Sequence, residues 1–207
     1  MIRRPAARTL AALTLLLAVG APTLASADEA IFAGGCFWSM ETDLDRVPGV
    51  TATQSGYTGG HLANPTYEDV ITETTGHYEA VRVTYDPARI SYEKLVDAFF
   101  HSIDPTDSGG QFCDRGESYR TAVFAIGPEQ TRVAEAAKAA VAKELDRPIA
   151  TEVKPAAVFT PAEEYHQDYA IKNPGHYKRY RTGCGRDAQV RAVWGETAQR
   201  GMAPELG

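Results

Sequence analysis

Cysteine is scarce in this sequence, and its sparse distribution excludes several kinds of protein. Only Cys36, Cys113 and Cys184 occur in 207 residues, and no two of them form a CxxC pair. A zinc ribbon or a dense disulfide scaffold is therefore not expected. The five histidines, at positions 61, 77, 101, 166 and 176, contain no pair at metal-ligand spacing, so no metal centre is expected. No basic run, internal repeat or low-complexity tract interrupts the chain. The one long apolar stretch, Leu10 to Val19, is too short to cross a bilayer as a helix.

That stretch has a different meaning in its context. Arg3, Arg4 and Arg8 precede it and Ala25-Ser26-Ala27 follows it, the order of a basic n-region, an apolar h-region and a small-residue cleavage site. Residues 1–27 are expected to be a cleaved export signal, and the mature protein to be periplasmic or secreted without a membrane anchor. Arg3-Arg4 is followed by Pro5-Ala6-Ala7 rather than an apolar pair, which favours general secretion over the twin-arginine route. Removing the three signal arginines from 21 basic side chains leaves 18 against 27 acidic ones, a formal charge of −9. Such a surface disfavours nucleic acid and anionic lipid as partners. The remaining length suits one domain, expected to be monomeric.

Along the chain, apolar alternation predicts strands at 29–33, 50–56, 67–72 and 151–159, in "HYEAVRVTYDP" and in "RTAVFAI". Helices are predicted from Phe37 to Arg46, from Ser91 to His101, from Gly127-Pro128 to Leu145, and over "AEEYHQDYAI" after Pro161. Strands mixed with helices point to an α/β or α+β sandwich, one sheet covered by helices. Residues 173–207 hold six glycines and little apolar periodicity, so an irregular, mobile tail is expected there.

Three features suggest chemistry. Cys36, in "AIFAGGCFWSME", follows a strand and two glycines and precedes a helix, where the unpaired N–H groups and the dipole favour a thiolate. A buried structural cysteine is the alternative. Phe37 and Trp38 are either core or an apolar wall beside that sulfur. Glu79 shares a strand face with Val81, Val83 and Tyr85. If buried, it is a neutral acid near pH 7; if the strand end is wet, it is an ordinary surface carboxylate. Cys184, in "TGCGR", has the small neighbours of a thiol that swings to another sulfur, though a static bond to Cys36 or Cys113 is equally open. Tyr67, Tyr119 and Asp114 stand in turn-bounded segments and can be core, cap or pocket residues.

Five segments taken together, "GGCFWSME", "NPTYEDV", "TGHYEAVRVTYDP", "GGQFCDRGESYR" and "AEEYHQDY", resemble the A-type methionine sulfoxide reductases in order and spacing. The resemblance runs from about Glu29 to Cys184. It implies a two-layer α+β sandwich of ferredoxin-like type, a mixed sheet covered by helices, with the catalytic domain over 28–184 and a glycine-rich tail over 185–207. It further implies that Cys36 attacks the sulfur of a methionine S-sulfoxide, free or in a protein, while Glu79 protonates the oxygen and Tyr67 and Tyr119 hold it. Phe37 and Trp38 would cradle the methyl group, and Asp114 would support or touch the substrate. Cys36 sulfenic acid would condense with Cys184, and a thioredoxin-like dithiol, with no bound cofactor, would reduce the disulfide.

The chain departs from the family pattern in three places. Ser39 stands where glycine is usual, and Cys184 is alone where many relatives carry two tail cysteines, while Cys113 is an extra thiol that either exchanges with Cys36 or Cys184 or is simply buried. A cysteine hydrolase using His77 or His166 as base, and a non-enzymatic binding module, are the competing readings.

Overall fold

The computed structural model describes residues 27–204. The segment read as an export signal lies outside the described residues, apart from Ala27. Eight strands and seven helices follow in the order β1 (Asp28–Gly34), α1 (Phe37–Asp45), β2 (Val50–Thr58), α2 (Tyr67–Val70), β3 (Tyr78–Tyr85), α3 (Tyr92–Phe100), β4 (Gly110–Gln111), β5 (Asp114–Arg115), β6 (Thr121–Ala125), α4 (Gly127–Leu145), β7 (Glu152–Pro155), β8 (Thr160–Pro161), α5 (Tyr169–Lys172), α6 (Pro174–Cys184) and α7 (Arg186–Trp194).

Six strands form one mixed sheet in the order β7-β6-β1-β3-β2-β8, antiparallel except for the β6–β7 pair. Alternation divides its two faces. Ala30, Phe32, Val81, Val83, Tyr85 and Val123 meet apolar side chains of α1, α3, α4 and α7 in the main core, while Ile31, Ala33, Tyr78, Ala80, Ala122 and Phe124 form a smaller cluster on the opposite side. The two-layer sandwich expected from the sequence is therefore the observed fold.

Helix α3 shows how sequence becomes packing. Ser91 caps it by accepting from the Lys94 N–H, and Leu95, Val96, Phe99 and Phe100 fall on one buried stripe. Phe99 stacks on Phe32 with ring centroids 4.7 Å apart. Burying each such side chain contributes roughly 1.5–3 kcal/mol, which easily exceeds the cap's share of about 1 kcal/mol.

Three local expectations are corrected. Residues 67–72 are not extended: Tyr67–Val70 is one helical turn, closed by a Thr66/Asp69 capping box. The helix expected after Pro161 is divided into a 3-10 turn at Glu164–His166 and α5, because Asp168 takes a left-handed φ of 52°. At that break the Gln167 amide satisfies the backbone of Ser55, accepting from its N–H and donating to its carbonyl, both at 2.9 Å.

The third correction concerns the tail. Residues 174–194 are not irregular but form α6 and α7, joined at Gly185 with φ 70°. Their anchor is polar, which is why apolar periodicity did not reveal it. Arg181 and Arg186 are buried and both pair with the buried Asp43 of α1, at 2.8 and 3.2 Å. Trp194 adds a ring contact, tilted against His101 with centroids 3.9 Å apart, while its Nε1 donates to the Ile103 carbonyl.

Candidate active site

The turn between β1 and α1 is built so that only glycine fits its two leading positions. A Cβ on Gly34 would stand 2.4 Å from the Met40 sulfur, and Gly35 combines a φ of 81° with a Cβ position 2.6 Å from Gln111. Cys36 follows as the N-cap of α1, its carbonyl accepting from Ser39 and Met40 N–H groups. Its sulfur is free and only 6 % of the residue is exposed.

Glu79 reaches the same helix start from β3. It is 2 % exposed on the Val81 face, and its Oε2 accepts from the Phe37 N–H at 2.9 Å. The wet-strand alternative is thereby removed. Burial raises its carboxyl from the ordinary 4.5 to about 8, against the opposing hydrogen bond from Phe37, so it is protonated at neutral pH.

Burial also pushes the Cys36 thiol up, and the Glu79 carboxylate adds to the effect. The expectation that this position favours a thiolate is corrected here. The helix terminus is outweighed because two charges would have to share a dry site; the resting pair is a neutral thiol beside a neutral acid.

Tyr67 and Tyr119 are both half-buried, and both hydroxyls are pushed up by burial and then by Glu79, Tyr67 to about 12. Both therefore remain hydrogen-bond donors. The Tyr67 backbone is tied by its N–H to Glu163 Oε1, and Glu163 Oε2 accepts from the Tyr57 hydroxyl at 2.9 Å. Phe37 is buried between Tyr57 and His166, whereas Trp38 is half-buried and stacks face to face on Tyr169 at 3.7 Å.

His166 is not a base for a hydrolase. Its Nδ1 accepts from Trp38 Nε1 at 3.0 Å, and burial holds it below the ordinary imidazole value, so the neutral ring carries its proton on Nε2. His77 is likewise occupied, its ring nitrogens bonded to the Gly60 N–H and the Leu62 carbonyl.

The sulfur expected to meet Cys36 is elsewhere: Cys184 is bonded to Cys113, with Cα atoms 5.0 Å apart. Cys113 is exposed rather than buried, lifted on the β4–β5 hairpin by Phe112 at φ 57°. Asp114 lies between this disulfide and Cys36. Its Oδ1 is 3.6 Å from the Cys113 sulfur, its Oδ2 3.8 Å from the Cys184 sulfur, and Oδ2 accepts from the Tyr180 hydroxyl at 2.5 Å. Tyr180 also stands near enough to the Cys36 thiol for each to affect the other's ionisation, and it meets Trp38 edge-on at 5.7 Å.

Tyr180, Tyr169 and Glu163 were thus missed by sequence reasoning. Tyr180 stands on a helix that lacked an apolar signal, whereas Tyr169 and Glu163 lie within the "AEEYHQDY" segment, which pointed to their neighbourhood without giving either a role. Among the described residues one group of three possible metal ligands comes together, Cys113, Asp114 and Cys184, and the disulfide uses both sulfurs.

A buried thiol beside a neutral carboxylic acid, with two phenols and a nearby disulfide, defines a thiol-based oxidoreductase on an α+β sandwich. The family model described as peptide methionine sulfoxide reductase matches residues 28–198. Peptide methionine sulfoxide reductase MsrA 2 of Caulobacter vibrioides is 55 % identical over 188 residues, 89 % of this chain and 95 % of that protein. MsrA of Bacillus subtilis is 52 % identical over 168 residues, 80 % of this chain and 95 % of that protein. The structure of methionine sulfoxide reductase A of Corynebacterium diphtheriae superposes with a TM-score of 0.65 at 33 % identity, covering 75 % of this chain and 77 % of that one. The chain belongs to the peptide methionine sulfoxide reductase family. It is an oxidoreductase, a peptide-methionine (S)-S-oxide reductase, and its activity is the thiol-dependent reduction of methionine sulfoxide.

Proposed function

We propose that Cys36 is the atom-transfer nucleophile of this reductase and that Glu79 is its acid. The observation that carries this reading is the neutral Glu79 carboxyl bonded to the first N–H of the helix that Cys36 caps. A sulfoxide oxygen leaves poorly until it is protonated, so a soft sulfur nucleophile needs a proton donor beside it. As the Glu79 proton moves to the oxygen, the Cys36 sulfur bonds to the substrate sulfur and its own proton returns to the carboxylate. The hydroxyl so formed then passes to the Cys36 sulfur: a new S–O bond forms there as the substrate S–O bond and the Cys36–substrate sulfur bond break, so methionine leaves and Cys36 is left as a sulfenic acid.

Tyr67 and Tyr119 donate to the oxygen as it gains charge. The Phe37–Trp38 wall takes the methyl group and Asp114 supports the polar side, so that oxygen and methyl occupy fixed places and one sulfur epimer is read. The sulfenic acid condenses with Cys184 and releases water. A thioredoxin-like dithiol then restores the thiols, acting on the periplasmic or extracellular side to which the N-terminal segment directs the chain. Free methionine sulfoxide and oxidised proteins are both admitted as substrates, which makes protein repair the physiological role.

Cys36→Ser is expected to lower turnover of S-sulfoxide peptides by about 10³-fold or more, the scale on which loss of a covalent nucleophile acts. Methionine release driven by a thioredoxin-like dithiol measures it; an unchanged rate would exclude Cys36 from the chemistry.

A further inference from the structure

The disulfide found here is not the one that resolution of Cys36 by Cys184 would leave. Cys184 is bonded to Cys113 while Cys36 is a free thiol. Cys36 and Cys184 are each less than a tenth exposed, whereas Cys113 stands on the surface. A Cys36–Cys184 bond would therefore lie beneath the surface, where a protein dithiol cannot line up with it. A Cys113–Cys184 bond offers one sulfur to solvent. The Cys113 N–H also donates to the Cys184 sulfur at 3.1 Å, a contact that stabilises negative charge on Cys184 when the bond is cleaved from the exposed side. Polar groups run between the two ends: the Cys113 sulfur contacts the Asp114 carboxyl, which accepts from the Tyr180 hydroxyl, and Tyr180 stands in the electrostatic neighbourhood of the Cys36 sulfur.

We propose that Cys113 takes the disulfide over from Cys36, so that Cys113–Cys184 is the bond presented to the external dithiol, and that Asp114 and Tyr180 carry the proton between the ends of this relay. The inference deepens the reading of Cys36 as nucleophile and rests on it.

The steps balance. Cys36 sulfenic acid and the Cys184 thiol give the Cys36–Cys184 disulfide and water. Asp114 takes the Cys113 proton, and the resulting thiolate attacks the Cys184 sulfur. The Cys113–Cys184 bond forms, the Cys36–Cys184 bond breaks, and the electron pair leaves on Cys36. The proton passes from Asp114 through the Tyr180 hydroxyl to Cys36, which returns to its neutral, buried form. No electrons enter in this exchange. Two enter afterwards, when one thiolate of the external dithiol attacks Cys113 and expels Cys184, and its second thiol closes the donor's own disulfide and frees Cys113. Arg186 holds the parts in register, stacking on Phe112 beside Cys113 at 4.9 Å while donating to the Gly34 carbonyl at the Cys36 turn.

The test counts methionine released by reduced protein, freed of reductant and mixed with excess S-sulfoxide peptide. Because the relay frees Cys36 once without any donor, the wild type is expected to release about two methionines per chain and to end with a Cys113–Cys184 peptide and a dimedone-reactive Cys36. Cys113→Ser is expected to stop at about one, with Cys36 linked to Cys184. Release of about one methionine by the wild type, with a Cys36–Cys184 peptide and Cys113 free, would overturn the relay while leaving the Cys36 chemistry intact. No release at all would overturn that chemistry instead. The wild-type count stands even if the variant fails to fold. Tyr180→Phe is expected to slow the second release by about tenfold or more, within the range of a lost proton-transfer group; a second release as fast as in wild type would remove Tyr180 from the path.

Discussion

Glu79→Gln is expected to lower kcat for S-sulfoxide reduction by about 10²–10⁴-fold, the contribution of a positioned general acid. Glutamine keeps the shape of the side chain and can still meet the oxygen with an N–H, but it cannot deliver a proton as the S–O bond breaks. The pH dependence carries the same information. Glu79 acts as an acid only while protonated, so wild-type kcat/KM should fall as pH rises through about 8. In Glu79→Gln that fall should vanish, and a profile that kept it would assign the titration to another group.

The same carboxyl links activity to stability. Its folded-state value lies above its ordinary one, so its contribution to stability is full below about 4.5 and is lost as pH rises through about 8. Glu79→Gln, which has nothing to ionise, should be more resistant to urea than wild type at about pH 9 and closer to it at about pH 5. A variant that loses activity while gaining alkaline stability would show that the acid is kept buried for chemistry rather than for folding.

Asp43→Ala is expected to destabilise the fold by about 3–5 kcal/mol, the cost of leaving buried charge without its partner. Asp43 is wholly buried and accepts from Arg181 at 2.8 Å and from Arg186 at 3.2 Å, so its loss takes the carboxylate from buried Arg186 and leaves Arg181 with Asp187 at 2.6 Å. Equilibrium urea unfolding measures the effect. Glu129→Ala supplies the contrast, because the Glu129–Arg132 pair has both side chains more than two-thirds exposed and is screened by water. If the two variants unfolded at the same urea concentration, the ionic anchoring of α6 and α7 would be refuted. Since α6 carries both Tyr180 and Cys184, Asp43→Ala should also weaken dithiol-driven turnover more than it weakens the first release of methionine.

Much of the scaffold was legible because the sheet and its helices obey periodicity. The Glu79 strand, the capped α3 helix and the β6 strand each bury what their alternation or spacing says they bury. Glu79 itself was visible as a carboxylate on an apolar face. What periodicity could not settle was whether water reached that face, because this depends on α1 closing over the strand end. The tail was misread for the opposite reason. Helices α6 and α7 are held by Arg181 and Arg186 together with a few buried side chains, Tyr177, Val190 and Trp194, too few to leave an apolar rhythm. The short α2 turn was overlooked although its capping box stands in the sequence as Thr66 and Asp69.

By itself the sequence determined the chemical inventory: a cysteine after two glycines at a strand-to-helix turn, an acid on an apolar strand face, and too few cysteines for a scaffold. Those properties are local, set by spacing and residue type within a few turns of chain. Tertiary structure alone decided the protonation states and the sulfur pairing. Burial keeps Cys36 as a thiol against the pull of its helix terminus, and the β4–β5 hairpin brings Cys113, 71 residues away in the chain, to Cys184. Desolvation and bond formation both depend on what the folded chain places within a few ångströms, and sequence spacing does not encode that proximity.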